Sequence, residues 1–296
     1  MRGQSMAAGS IGNIREEVAR IETLGTLPKV MTRIMDLVRD PEADALELAQ
    51  AISRDPALTM KLLRLVNSAA YGLHRRIMTV PDAVVVLGFD EVERLALSIT
   101  VIDCLGLDRD SVKLTRQLWR HSLACSVACS VFELRYVTLM PNLRGAHVAG
   151  LLHDIGKAVL MQHFPNVYAG ALQLAEADAY GICEAEQEVL DGYTHADVGR
   201  WVAEQWDLPH ALAVAIGGHH EPDIDTIDEP LAHVTHIVDA LCNTFGIHSG
   251  PGTSGEDINP KSIAMLPIDD DLAAAVRAQL NRHKNLISAV SAGAMF

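Results

Sequence analysis

The stretch HVAGLLHDIGKAVL, residues 147–160, decides how the rest of the chain is read. It is almost wholly apolar, as a buried helix requires, yet it carries His153 beside Asp154 and a lysine at position 157. Ionisable groups inside such a run are costly unless partners reach them from elsewhere. Adjacent residues lie about 100° apart around a helix, so both side chains can lean into one groove between helices. The question is where in the chain their partners sit.

The whole-chain properties narrow the field. At 296 residues the chain can bury one large core or two small ones. Hydrophobic residues make up 49% and aromatics only 4%, with Ala, Leu and Val prominent. That balance favours packed helices over a β-sandwich. The formal net charge of −14 argues against nucleic acid or an anionic membrane as a partner of the whole surface. No apolar run reaches the roughly 18 residues of a membrane span. Residues 1–13 read as a tag remnant or leader without structure. The five cysteines (104, 125, 129, 183 and 242) form no CxxC pair, which suits buried thiols in a reducing cytoplasm.

Helix punctuation recurs along the chain. Asp44 and Glu47 have capping-box spacing, and Asp55-Pro56 pairs an N-cap with a first-turn proline. Gly88 separates two helical runs, and Met140-Pro141 ends a long helix that starts near Ser111. A helix over about 143–161 follows, then several shorter ones, a loop over 246–262 and a last helix over about 270–290. No stretch reads as paired strands with hairpin turns. The expected fold is all-α: an N-terminal helical sub-bundle (14–105) packed on a second bundle (110–246), with residues 247–296 as a loop plus a docking helix.

Four residues on three helices make a candidate site. His121 lies in QLWRHSLAC (117–125) and Asp239 in VTHIVDALCN (234–243). With His153 and Asp154 they offer two imidazoles and two carboxylates, a donor set suited to Fe, Mn, Co, Ni or Zn. His195, His219 and His220 supply donors for a second ion, with Asp154 between the two. The expected cofactor is therefore one or two divalent transition-metal ions of unnamed identity. Other histidines (147, 163, 210, 233, 236, 248 and 283) read as core residues bonded to carbonyls, and Trp119, Trp201 and Trp206 as core. There is no phosphate loop of the GxxxxGK[ST] kind and no Ser-His-Asp arrangement.

At these residues the chain resembles the HD superfamily of metal-dependent phosphohydrolases, named for an H…HD…D ligand set matched in order by His121, His153-Asp154 and Asp239. GLLHDIGK is similar to the HD-GYP phosphodiesterases and to their relative, the HDOD domain. The likeness continues through HADVGRWVAEQWDLP (195–209) and AIGGHHEP (215–222). The N-terminal half separates the two relatives. ISRDPALTMKLLRLVNSAAYG (52–72) and AVVVLG (83–88) resemble the HDOD entry sequence, and the likeness spans roughly 24–245. It implies an HD/HDOD-like helical bundle with a role in bacterial signal transduction. Many HDOD members lack HD ligands; this chain keeps the positions of a full set. No Gly-Tyr-Pro follows His219-His220-Glu221, and Gln117 stands where a trinuclear HD-GYP site offers Glu. Both features count against a third metal and against cyclic di-GMP hydrolysis.

Two readings follow. In one, the chain is a regulatory HDOD module acting through a protein partner, with the metal site retained. In the other, it is a metal-dependent phosphohydrolase acting on a nucleotide or other phosphoester, with Lys157 neutralising charge on the phosphoryl oxygens. Glu221 is a candidate for orienting an imidazole. Arg64, Arg75 and Arg76 belong to a basic cluster (with Arg54, Lys61 and His74) where a partner's acidic face or a phosphate-containing ligand docks.

Overall fold

The computed structural model describes residues 13–21, 24, 27–105, 112–177, 181–222, 229–253 and 257–291. The leader over 1–12 and the centre of the loop at 254–256 lie outside them. Among the described residues there are seventeen α-helices and no strand, as the all-α reading requires.

Five helices make the N-terminal sub-bundle: α2 (Lys29–Arg39), α3 (Ala45–Ser53), α4 (Pro56–Val66), α5 (Val80–Leu87) and α6 (Phe89–Leu105). Their starts are chemically specified. Asp44 and Glu47 close a reciprocal capping box on α3. The Asp55 carboxylate accepts from the Ala57 and Leu58 amides, with Pro56 at N1 of α4. Asn67 then fixes the chain after α4: its amide donates to the Leu63 and Ile77 carbonyls and its oxygen accepts from the Ile77 amide. Helix α1 (Ile14–Ala19), grouped by sequence with this sub-bundle, packs on α12 (His195–Gln205).

The second bundle is organised by α7 (Val112–Tyr136). Against it lie α8 (Ala146–Leu152) and α14 (Pro230–Thr244). The long helix expected over 143–161 is two helices, α8 and α9 (Ile155–His163), broken at His153 and Asp154. Asp154 takes φ −94° and ψ 13°, the bridge region between helix and strand. The pair therefore does not share one continuous helix face, as periodicity had it, but sits at a corner where both side chains turn inward. Helices α10 (Pro165–Glu176), α11 (Ile182–Val189), α12 and α13 (His210–Gly217) complete the bundle. The single C-terminal helix expected after the loop is three: α15 (Pro260–Met265), α16 (Asp270–Arg282) and α17 (Lys284–Ser291), the last two packed on α7.

Two glycines explain how the corner is held. A Cβ on Gly150 would come within 2.9 Å of the Cys125 backbone and 2.7 Å of Cys129 Sγ, so its absence lets α8 lie directly on α7. A Cβ on Gly156 would stand 1.9 Å from the His195 carbonyl oxygen. The first turn of α9 thus rests on the first turn of α12, with Gly199 opposite. The two glycines of GLLHDIGK are contact points on either side of the His-Asp pair.

Gly156→Ala is expected to destabilise by about 3 kcal/mol or more, because backbone must move to admit the methyl group. Gly170→Ala, in α10 and at ordinary contact distance from Val189, should be neutral or stabilising. Thermal melting of the two variants checks this; equal melting temperatures would refute the contact-point reading.

Candidate metal centre

All seven side chains singled out as metal ligands converge. α7 supplies His121, the α8–α9 corner His153 and Asp154, the start of α12 His195, the end of α13 His219 and His220, and α14 Asp239. His121, His153, His195 and His219 are fully buried, Asp154 and Asp239 nearly so, and His220 is half-buried.

The hydrogen bonds determine which ring nitrogens point inward. His121 Nδ1 lies 2.6 Å from the Ile247 carbonyl oxygen, His153 Nδ1 2.9 Å from that of Gly150 and His219 Nδ1 2.7 Å from that of Ile216. A carbonyl oxygen only accepts, so each Nδ1 carries the hydrogen and donates it. His195 Nδ1 likewise faces Glu186 Oε2 at 2.6 Å. In each neutral ring the Nε2 atom is then a bare lone pair. The Nε2 atoms meet: His121 and His153 at 3.2 Å, His195 and His219 at 3.3 Å, His195 and His220 at 3.0 Å.

The carboxylates lie between them. Asp239 Oδ1 is 2.9 Å from His121 Nε2 and 3.9 Å from His153 Nε2. Asp154 turns Oδ2 to His153 at 3.5 Å and Oδ1 to His195 at 3.1 Å and His219 at 3.7 Å. One carboxylate thus faces both histidine groups, the position a bridging ligand takes. Although buried, Asp154 Oδ1 accepts no well-directed hydrogen bond.

Protons relieve only part of this crowding. Burial works against a charge on His121, but Asp239 outweighs it and raises the imidazole to about 9. Burial pushes His153 down to about 3, although Asp154 opposes the shift. Asp154 is held well below the usual carboxylate range despite burial, with Lys157 beside it the leading favourable influence. A divalent cation suits this donor set: it would displace the His121 proton and draw the inward imidazole nitrogens and the buried, ionised carboxylates onto one charge. His121, His153 and Asp239 would hold one ion, and His195, His219 and His220 a second.

The surroundings hold residues that sequence reasoning missed. Glu186, fully buried on α11, orients His195 and also accepts from its backbone amide at 2.8 Å. Asn243 donates to Asp239 Oδ1 at 3.0 Å, and the His219 carbonyl accepts from His236 Nδ1 at 2.8 Å. Only the His-Glu spacing across a helix–turn–helix hinted at Glu186, and that signal is weak. Glu221, the sequence candidate for orienting an imidazole, is exposed. Lys157, expected to meet a substrate phosphate, is 4% exposed and already engaged: its ammonium donates to Asp154 at 3.0 Å and to Ser249 Oγ at 2.9 Å. Trp119 and Trp206 are core residues, whereas Trp201 is half-buried against Tyr193.

Two further sites lie one on the sub-bundle and one at its junction with the second bundle. Arg64, Arg75 and Arg76 line a cavity of about 930 Å³ beside α4, with Lys61, His74 and Met60. His147, read from sequence as bonded to a carbonyl, is instead clamped by two carboxylates. Its Nδ1 lies 2.9 Å from Glu133 on α7 and its Nε2 2.9 Å from Glu93 on α6. His283 pairs with Glu91 of the same α6 at 3.2 Å.

The family model for the HDOD domain matches residues 24–222. The chain belongs to the HDOD domain family. A curated relative, an uncharacterized protein of Treponema pallidum (strain Nichols), is 25% identical over 206 residues, 68% of this chain; the chain spans only 38% of that relative's length. Among solved structures, an HDOD domain protein of unknown function from Geobacter sulfurreducens aligns with a TM-score of 0.70 at 23% identity, covering 94% of this chain and 97% of its own. A candidate signal transduction protein from Marinobacter aquaeolei VT8 gives 0.73 at 23% identity, covering 96% and 62%. A candidate phosphohydrolase from Shewanella amazonensis SB2B gives 0.69 at 21%, covering 94% and 98%. At these identities the likeness is one of fold. Among the described residues no helix is long and apolar enough to cross a membrane.

The clamp at His147 makes a pH prediction. Burial opposes the charge, but Glu93 and Glu133 raise the imidazole from 6.5 to about 10. A pKa raised on folding adds stability that is complete below the unfolded value and is lost as pH climbs through the folded one. The melting-temperature gap between the wild type and His147→Gln is therefore expected to be widest near pH 6 and to close towards pH 10. A gap that widens with pH would refute the clamp.

Proposed function

We propose that the chain is a regulatory module of bacterial signal transduction, whose output is contact with a protein partner and whose di-metal centre is a structural or ligand-sensing element. One observation carries this reading: the centre's ammonium group is spent internally. Lys157 neutralises Asp154 and hydrogen-bonds Ser249 in a buried setting, so it does not face a site for a phosphoester. The proposed docking surface is the cavity at Arg64, Arg75 and Arg76, where cationic groups gather on a chain of net charge −14. The cytoplasm suits unpaired cysteines of this kind.

A second reading, metal-dependent hydrolysis of a phosphoester, is favoured by Asp154 facing both histidine groups. Bound cations would supply Lewis acidity there.

Elemental analysis of protein purified without chelator is expected to find one or two divalent transition-metal ions per chain, lost in His153→Ala. Bis-p-nitrophenyl phosphate with added Mn²⁺ or Fe²⁺ is expected to show no turnover above a metal-free control. Turnover that disappears in His153→Ala would overturn the regulatory reading in favour of hydrolysis.

Charge reversal of Arg75 and Arg76 to Glu should abolish partner capture while metal content stays unchanged. Capture that survives the reversal would remove this cavity as the docking surface.

A further inference from the structure

The half of the centre built on His121 has a donor beyond the expected set. Cys125 lies one helical turn after His121 on α7, on the same face. Its Sγ stands 3.4 Å from His121 Nε2, and the donor atoms of His121, Cys125, His153 and Asp239 all lie within 4.8 Å of one another. All four residues are buried.

The spacing can be compared with that of a bound ion. Metal–nitrogen and metal–sulfur bonds of roughly 2.0–2.3 Å in a tetrahedron put neighbouring donors about 3.3–3.8 Å apart. Here the His121–His153 separation is 3.2 Å, His121–Cys125 3.4 Å, His121–Asp239 2.9 Å and His153–Asp239 3.9 Å. The scatter brackets the tetrahedral value. Packing supports it: Gly150, without a side chain, lets α8 and hence His153 approach the Cys125 turn. Cys242, fully buried on α14, is the thiol next to Cys125, so the two sulfurs need separate variants.

We infer that Cys125 is a sulfur ligand of the ion held by His121, His153 and Asp239, which makes this half of the centre a mixed nitrogen, oxygen and sulfur site. The inference rests on the reading that the centre holds a cation. On binding, the Cys125 thiol would release its proton to solvent and the thiolate would join the imidazole and carboxylate donors on the ion. Thiolate softness selects Zn²⁺, Fe²⁺ or Co²⁺ over Mn²⁺ and Mg²⁺, which an all-imidazole and carboxylate set does not do as strongly. The half built on His195 and His220 has its own nearby sulfur, Cys183, so the experiment must separate the two.

The test uses the full chain loaded with Co²⁺, with bound cobalt quantified in the same sample. The wild type is expected to show a sulfur-to-cobalt charge-transfer band in the near ultraviolet. The band should vanish in Cys125→Ser and persist in Cys183→Ser and Cys242→Ser. In Cys125→Ser the preference for Zn²⁺ over Mn²⁺ should also fall by about tenfold or more. Wild-type protein that binds cobalt without the band overturns the inference whether or not any variant folds, and so does a band that persists in Cys125→Ser. Absence of bound cobalt would overturn the metal reading itself, a different outcome in the same measurement.

Discussion

Four imidazole Nε2 atoms converge on buried carboxylates, and the surrounding fold is arranged to hold them there. Three of the four rings are locked by Nδ1–H bonds to backbone carbonyls and the fourth by Glu186. None can turn its lone pair outward without leaving a buried hydrogen bond unmade, which costs about 1–3 kcal/mol. The arrangement is therefore set by the helix ends that carry the rings. It demands the corner at His153 and Asp154, and that corner in turn demands glycine where α8 meets α7 and where α9 meets α12.

The short helix α8 joins this centre to the sub-bundle. His147, in its first turn, is held by Glu93 of α6, and His153 caps its end. His153 follows His147 by six positions, about 9 Å of helical rise. A rotation of α6 against the core would pull on a helix whose other end carries His153 of the histidine cluster. His283, paired with Glu91, fastens the C-terminal helices to α6 as well. Two contacts from one sub-bundle helix, both to histidine, tie three parts of the chain together. Buried pairs of this kind add specificity of arrangement more reliably than they add stability.

Much of the centre was legible without coordinates. Helix caps at Asp44 and Asp55, the proline starts and the all-α class follow from local chemistry that does not depend on tertiary context. The residues that converge were legible because histidine beside aspartate in an apolar helical run needs partners, and the resemblance supplied their order. The break at His153 was not legible: periodicity sees apolar residues continuing from α8 into α9 and cannot register a corner held by contacts from α7 and α12. The partners of Lys157 were not legible for the same reason. A lysine one turn beyond a ligand can face either a substrate or its own aspartate, and only the packing of Ser249 over it decides which.

The amino-acid sequence by itself determined which residue types would be buried together, because apolar helical runs must exclude water and their few ionisable groups must be paired. The tertiary structure alone decided which atom of each ring faces the centre, that Cys125 and Glu186 lie beside it, and that His147 ties the two bundles. Those outcomes depend on distances between segments far apart in the chain, and local periodicity carries no information about such distances.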